Sequence, residues 1–384
     1  MSGSDAAGAG TAAPVVLLDC DPGIDDAMAI ADLLARRAFA EVELAGIVAT
    51  AGNASGPDTV AAALGWLDLG ERTDARAGRT GLPQVPVFPG ADGPLDVPHP
   101  TTPETHGPRG TGYAHLPELR RAPSEMDGVT AWSSLSRAHS GRLHAVVTGP
   151  ASTLARALRA DPGIVGRLAS LTIMGGAFRG HPGNTTAVAE WNCHSDPEAA
   201  QVVCEAFGPR AGGVDGASGA EAGTGAGTGT GTHLSPVFPR WCGQDVTDGA
   251  ILQPARLTAL LAETGGAPVT RALAAALRFY FEFHESMGEG YEAKVHDPAV
   301  VALALEPGDG RWAPARVDVA CAGALTRGQT VAEFRAERWT GGPFGSGARN
   351  ADVLLGVPGG AASLVEAWAA RHARWVGGPG PALG

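Results

Sequence analysis

The sequence predicts an α/β fold, a mainly parallel sheet covered by helices on both faces. Two observations predict it. Short apolar runs bounded by turn residues alternate with longer apolar-periodic stretches along most of the chain, the pattern of strands joined by crossover helices. Polar residues able to do chemistry also follow the ends of those runs, where an open parallel sheet gathers its ligand groups.

The elements follow in order. Val15, Val16, Leu17 and Leu18 read as a short buried strand. Pro22 and Gly23 punctuate the chain, and Ala27, Met28, Ile30, Ala31, Leu33 and Leu34 recur at helical spacing. A strand is expected over Glu43 to Val48, a helix from about Asp58 to Leu69 and a short strand within Pro83 to Phe88. A Pro/Gly-rich stretch then runs to about Asp127. A helix near Val129 to Ala138 precedes the strand Leu143 to Val147, and a further helix leads to the strand Leu168 to Met174. A helix over Asp196 to Phe207 follows. From Gly208 to about Thr232 the composition collapses to Gly, Ala, Thr and Ser, which cannot bury enough apolar surface to order itself, so a disordered insertion over about 208–235 is expected. Beyond it come a strand at Pro236 to Trp241 and helices near Ala255 to Leu261, Ala267 to Ser286 and Pro298 to Leu305. Strands at Arg316 to Ala320 and Ala351 to Val357 and a helix near Ala361 to His372 complete the pattern.

Composition narrows the function. With 384 residues, 44% of them hydrophobic, the chain can bury a large core as one large or two ordinary domains. A net charge of −12 with no Lys/Arg block disfavours nucleic acid and anionic membrane as partners. No apolar run approaches membrane-spanning length. The first 13 residues lack the basic and apolar regions of a signal peptide and read as a flexible tail, as do residues 376–384. Five scattered cysteines without a CxxC pair argue against a disulfide framework or zinc knuckle and fit a reducing cytoplasm.

The chemistry concentrates after the first strand. Asp19, Asp21, Asp25 and Asp26 fall within the stretch L-D-C-D-P-G-I-D-D-A. One such Asp is explained by helix capping, and a second by the helix dipole. Four together repel one another unless a cation neutralises them, so the cluster suits a hard, oxygen-loving divalent ion, Ca²⁺ or Mg²⁺. Later strand ends add Asn53, Thr148 and Met174, then Asn184, Glu190 and Asn192, and finally His296 and Asp297. Singly, Asn184 or Asn192 reads as a turn residue, and Asp297 before Pro298 as an N-cap. Jointly they supply carboxylates for a metal, polar groups for hydroxyls, and a histidine beside a metal ligand.

In order, D-C-D-P-G-I-D-D-A, T-A-G-N, V-T-G-P, M-G-G-A, A-E-W-N, H-D-P and T-R-G-Q-T-V resemble the inosine–uridine-preferring nucleoside hydrolases, over about Val15 to Ala370. The resemblance implies one domain over about 14–375, an open, mostly parallel sheet flanked by helices. It implies Ca²⁺-dependent hydrolysis of the N-glycosidic bond of ribonucleosides, and a homo-oligomer, dimer or tetramer. Asp21, Asp26, Asp297 and the Thr148 carbonyl match the calcium ligands, and Asp21 also matches the base that deprotonates the attacking water. Asp25 and Asn192 match residues on the ribose hydroxyls, with Asn184 and Glu190 around the 3′- and 5′-hydroxyls. Asn53 belongs to the metal's inner shell or to the ribose pocket, Met174 packs under the sugar, and Asp19 orients the other acids. His296 matches the group that protonates or polarises the leaving base, and His106, in T-H-G-P-R-G-T-G, a stretch beside it. Tyr280, His284 and Tyr291 are candidates for the base pocket, although aromatic residues at helical spacing are commonly core. Two alternatives stand beside this. A DxD-type phosphatase would use Asp19 as nucleophile and Asp21 as acid, and a non-catalytic homologue would bind only ribose and Ca²⁺.

Overall fold

The apolar runs pair into a nine-stranded sheet. A computed structural model of the chain describes residues 12–208, 237–339 and 347–377. The strands are β1 (Val15–Cys20), β2 (Glu43–Ala49), β3 (Val87–Pro89), β4 (Leu143–Val147), β5 (Leu168–Met174), β6 (Arg240–Cys242), β9 (Arg311–Val319), β10 (Thr330–Glu333) and β11 (Ala351–Gly356). Their order is β10-β9-β11-β6-β5-β4-β1-β2-β3, antiparallel only where β9 meets β10 and β11. The expected single-domain, mostly parallel α/β sheet is what forms. The Gly-rich stretch 208–235 and both tails lie almost wholly outside the described residues.

Register decides where the site must be. Asp19 sits opposite Val48 on one side and Val147 on the other, and Val147 sits opposite Ile173. The carboxyl ends of four adjacent strands are therefore level, and the loops bearing Asp21, Asn53, Thr148 and Met174 emerge side by side.

Helix α1 (Ile24–Ala38) is buried along its whole length, with packing on every side. Beyond its first turn, its charged residues are accordingly paired. Arg36 bonds Asp32 and Glu306, each at 2.8 Å, and Arg37 bonds Asp74 at 2.8 Å. Asp74 also takes the Trp375 indole N–H at 2.7 Å. These contacts carry α2 (Gly56–Arg76) almost two turns past the predicted end at Leu69, because Asp74 is useful only where Arg37 can reach it.

The remaining helices are α3 (Pro103–His106), α4 (Gly128–Ala138), α5 (Ser152–Ala160), α6 (Trp191–Ser195), α7 (Pro197–Ala206), α8 (Gln244–Thr247), α9 (Pro254–Glu263), α10 (Pro268–Ser286), α11 (His296–Leu305) and α12 (Ala362–Gly377). Two features were absent from the sequence reading. Residues Ile251–Leu252 (β7) and Ala293–Lys294 (β8) form a separate antiparallel pair that steers the chain into α11. The Thr330–Glu333 stretch is an edge strand. Among the described residues no helix is long and apolar enough to cross a membrane.

Candidate active site

A cavity of about 610 Å³ opens at the level strand ends. Of the residues singled out for the site, all line it except Asp26, which lies buried beneath, and Asp19 and Tyr291. Residues 271 positions apart in sequence meet here because α11 is largely apolar and must pack inside. The amide of His296 donates to Asp25 Oδ2 at 3.2 Å, tying the start of α11 to the first turn of α1.

The acids differ in their partners. Asp26 Oδ2 accepts from the Gly23 amide at 2.8 Å, so this residue does cap α1, and its Oδ1 accepts from the Thr148 hydroxyl at 2.8 Å. Asp297 is no cap. Helix α11 begins one residue earlier, at His296, which leaves the Asp297 carboxylate free for the site. Asp21 Oδ2 accepts from the Asn53 amide at 2.8 Å, whereas its Oδ1 is buried without a hydrogen-bond partner. Oxygens of Asp25, Asp26 and Asp297 all lie within 4.8 Å of one another. Asp25 thus joins the cluster closely, although the sequence pointed it at a ribose hydroxyl.

Burial raises every one of these carboxyls. Asp25 is pushed up to about 7 by burial and by Asp26. Burial lifts Asp21 well above the usual range, with Asp26 adding to it, and lifts Asp297 likewise, with Asp25, Asp26 and Asp21 adding. Among the described residues no cationic side chain forms a salt bridge with them. An orphaned carboxylate oxygen beside three mutually repelling acids and a backbone carbonyl is an all-oxygen donor set, which suits a hard divalent ion and not zinc.

Asp19 departs from expectation. Its side chain turns away from the other acids, accepting from Thr50 Oγ1 at 2.5 Å and from the Trp132 indole at 2.8 Å. It does not line the cavity, so it cannot serve as the phosphatase-type nucleophile. Its link to the site is its backbone carbonyl, which accepts from the Thr148 amide at 2.8 Å.

The polar wall is built by short local bonds. Asn192 Nδ2 donates to the Thr148 carbonyl at 2.7 Å and to the Met174 carbonyl at 3.2 Å. Glu190 caps α6, accepting from the amides of Asn192 (2.8 Å), Cys193 (3.1 Å) and Gly176 (2.9 Å). Asn184 is exposed and its Oδ1 accepts from the Trp191 amide at 2.9 Å, a turn-like role at the rim.

Two histidines face the cavity as neutral rings. The Ile24 amide donates to His106 Nδ1 at 3.1 Å, which leaves the hydrogen on Nε2. Burial pulls His106 down to about 3 and His296 to about 4. His296 Nδ1 lies 2.9 Å from Thr247 Oγ1, fixing the ring's orientation. Tyr280 and His284 line the cavity as well, whereas Tyr291 packs on Phe281 outside it. Gln244, Thr247 and Phe283 went unnoticed in the sequence. The strand-end rule, applied to β6, would have drawn attention to the first two.

Two motif glycines owe their identity to Asp21. A Cβ at Gly52 would lie 2.0 Å from Asp21 Oδ2, and one at Gly149 would lie 2.6 Å from Oδ1. Either methyl must displace the carboxylate. In Gly149→Ala, ribose release should fall about 10²-fold, the usual cost of misplacing a reacting group by an ångström. An unchanged turnover number would show that the position of Asp21 does not govern the rate.

Comparison with known proteins agrees in extent with this geometry. The profile of the inosine-uridine preferring nucleoside hydrolase family matches residues 16–361. A pyrimidine-specific ribonucleoside hydrolase, RihA, of Escherichia coli O9:H4 (strain HS) is 31% identical over 323 residues, covering 83% of this chain and 88% of that protein. The inosine-uridine preferring nucleoside hydrolase of Crithidia fasciculata is 31% identical over 325 residues, covering 84% and 89%. Among solved structures, a purine-preferring ribonucleoside hydrolase from Gardnerella vaginalis superposes with a TM-score of 0.75 at 23% identity, over 94% of this chain and 99% of that one. A plant nucleoside hydrolase gives the same TM-score and identity over 94% and 98%.

Proposed function

This chain belongs to the inosine-uridine preferring nucleoside hydrolase family, and from that premise we propose how its residues divide the work of hydrolysing a ribonucleoside to ribose and free base. The observation that carries the proposal is the meeting of Asp21, Asp25 and Asp297 at one cavity, with Asp26 clustered on Asp25 and Asp297 beneath it and Asp21 Oδ1 left unpartnered.

Asp21, Asp26, Asp297 and the Thr148 carbonyl would hold Ca²⁺. Such an ion would neutralise the acids and make a nearby water more acidic. Asp21 accepts the proton of the attacking water, whose oxygen bonds to the anomeric carbon. The electron pair of the breaking N-glycosidic bond departs with the base. Asp25 and Asn192 hold ribose hydroxyls, Asn184 and Glu190 the 3′- and 5′-sides, and Asn53 braces Asp21. Met174 supports the sugar from below.

His296, with His106 nearby, faces the departing base. A ring held near pKa 4 reaches neutral pH uncharged, so it offers the base a hydrogen bond first. Negative charge building on the base in the transition state strengthens that bond, and a proton taken from solvent and relayed through the ring completes the neutral base, while Asp21 holds the proton removed from the attacking water. His296→Ala should cost on the order of 10² to 10⁴ in kcat for inosine or uridine. It should cost far less for p-nitrophenyl riboside, whose leaving group needs no proton. Asp21→Ala should impair both substrates. Equal losses on both for His296→Ala would mean that the ring only shapes the pocket.

Cytoplasmic residence, suited to five free thiols, and a homo-oligomeric state complete the proposal, as does a domain spanning about 14–375.

A further inference from the structure

The T-R-G-Q-T-V stretch lies outside the cavity, yet it touches both halves of the cradle that orients Glu190. That carboxylate accepts from Gly176, in the turn after β5, and from Asn192 and Cys193, in the first turn of α6. The two donor groups are separate pieces of chain, so the orientation of Glu190 depends on what holds them together. Thr330, buried at the start of β10, meets the first piece. Its hydroxyl accepts from the Ala177 amide at 3.0 Å and donates to the Ala177 carbonyl at 2.9 Å. Gly328 meets the second. With φ at +84°, it lies against α6 so closely that a Cβ would come within 2.8 Å of His194 Cα and 3.2 Å of the Cys193 carbonyl oxygen. Arg327 adds an anchor on the following helix α7, bonding Glu198 Oε1 at 2.6 Å and Oε2 at 2.7 Å.

We propose that residues 326–330 form a clasp whose Thr330 and Gly328 are positioning residues for Glu190, and through it for recognition of the ribose 5′-side. The proposal rests on the assignment of Glu190 to that side. Loosening the clasp lets the Gly176 turn and α6 drift apart, so the carboxylate loses its fixed direction. The acids after β1, in the first turn of α1 and at the start of α11 keep their own bonds.

The test is the ratio of kcat/KM for a nucleoside to that for its 5′-deoxy analogue, using whichever of uridine and inosine turns over faster. Glu190→Gln should collapse the ratio. Thr330→Val and Gly328→Ala should lower it at least about tenfold, whereas Thr330→Ser, which keeps the hydroxyl, should preserve it. Amide hydrogen exchange should quicken at residues 175–178 and 190–196 in Thr330→Val, with no change at 15–27. A parental ratio in Thr330→Val and Gly328→Ala, beside a collapsed ratio in Glu190→Gln, would overturn the clasp alone. A parental ratio in Glu190→Gln would overturn the Glu190 assignment and the clasp with it. If Thr330→Val is inactive, unchanged exchange in both segments overturns the clasp.

Discussion

Asp26→Asn is expected to lower ribose release by about 10³-fold or more. The substitution keeps one oxygen, for either the Gly23 amide or the Thr148 hydroxyl, which bond different oxygens of Asp26, and removes a negative charge from the centre of the cluster. A bound divalent ion contributes several kcal/mol of charge stabilisation in a water-poor site, and ~4 kcal/mol corresponds to roughly three powers of ten. Asp297→Asn should behave alike, since Asp297 is pressed among Asp25, Asp26 and Asp21 and makes no cap. Stripping the protein with a calcium-selective chelator should abolish activity, and Ca²⁺ should restore it. Ca²⁺ should also raise the melting temperature of the parent protein more than that of Asp26→Asn, because an ion bound only by the folded state stabilises it. Full activity in protein shown by elemental analysis to be metal-free would refute this account.

The second large effect concerns the sugar. Hydroxyl contacts strengthen as the ribose ring gains positive charge, so they contribute to turnover and not only to binding. A 2′-deoxynucleoside leaves Asp25 or Asn192 facing an empty space, with buried polar atoms unpaired. Sites built around a hydroxyl reject its absence by about 10⁴ or more. The value of kcat/KM for 2′-deoxyuridine or 2′-deoxyinosine should fall by that order relative to the ribonucleoside. Comparable values would sink the proposed role of Asp25 and Asn192.

Much of the site was legible because its residues follow strand ends, and strand ends are marked by apolar runs that stop. Asp21, Asn53, Thr148 and Met174 came from that rule, and the level register of β1, β2, β4 and β5 explains why it works. His106 lay in a Pro/Gly-rich stretch without periodicity. Its place depends on a bond from the Ile24 amide that no local pattern announces. Gly52 and Gly149 entered only as letters of the T-A-G-N and V-T-G-P motifs, since a close approach to Asp21 leaves no trace in neighbouring residues.

By itself, the sequence determined the α/β class, the order of the elements and the identity of the acids, because hydrophobic period, turn residues and charge density are local properties. Tertiary structure alone decided which acids face the cavity. Asp19 and Asp21 stand two residues apart, yet Asp19 turns to Thr50 and Trp132 while Asp21 keeps an unpartnered oxygen. It likewise decided that α2 runs on to meet Arg37, that Asp297 is released from capping, and that a distant edge strand braces Glu190. The physical reason is common to all four. Each outcome depends on which buried polar group finds a partner, and those partners lie on elements that only packing brings together.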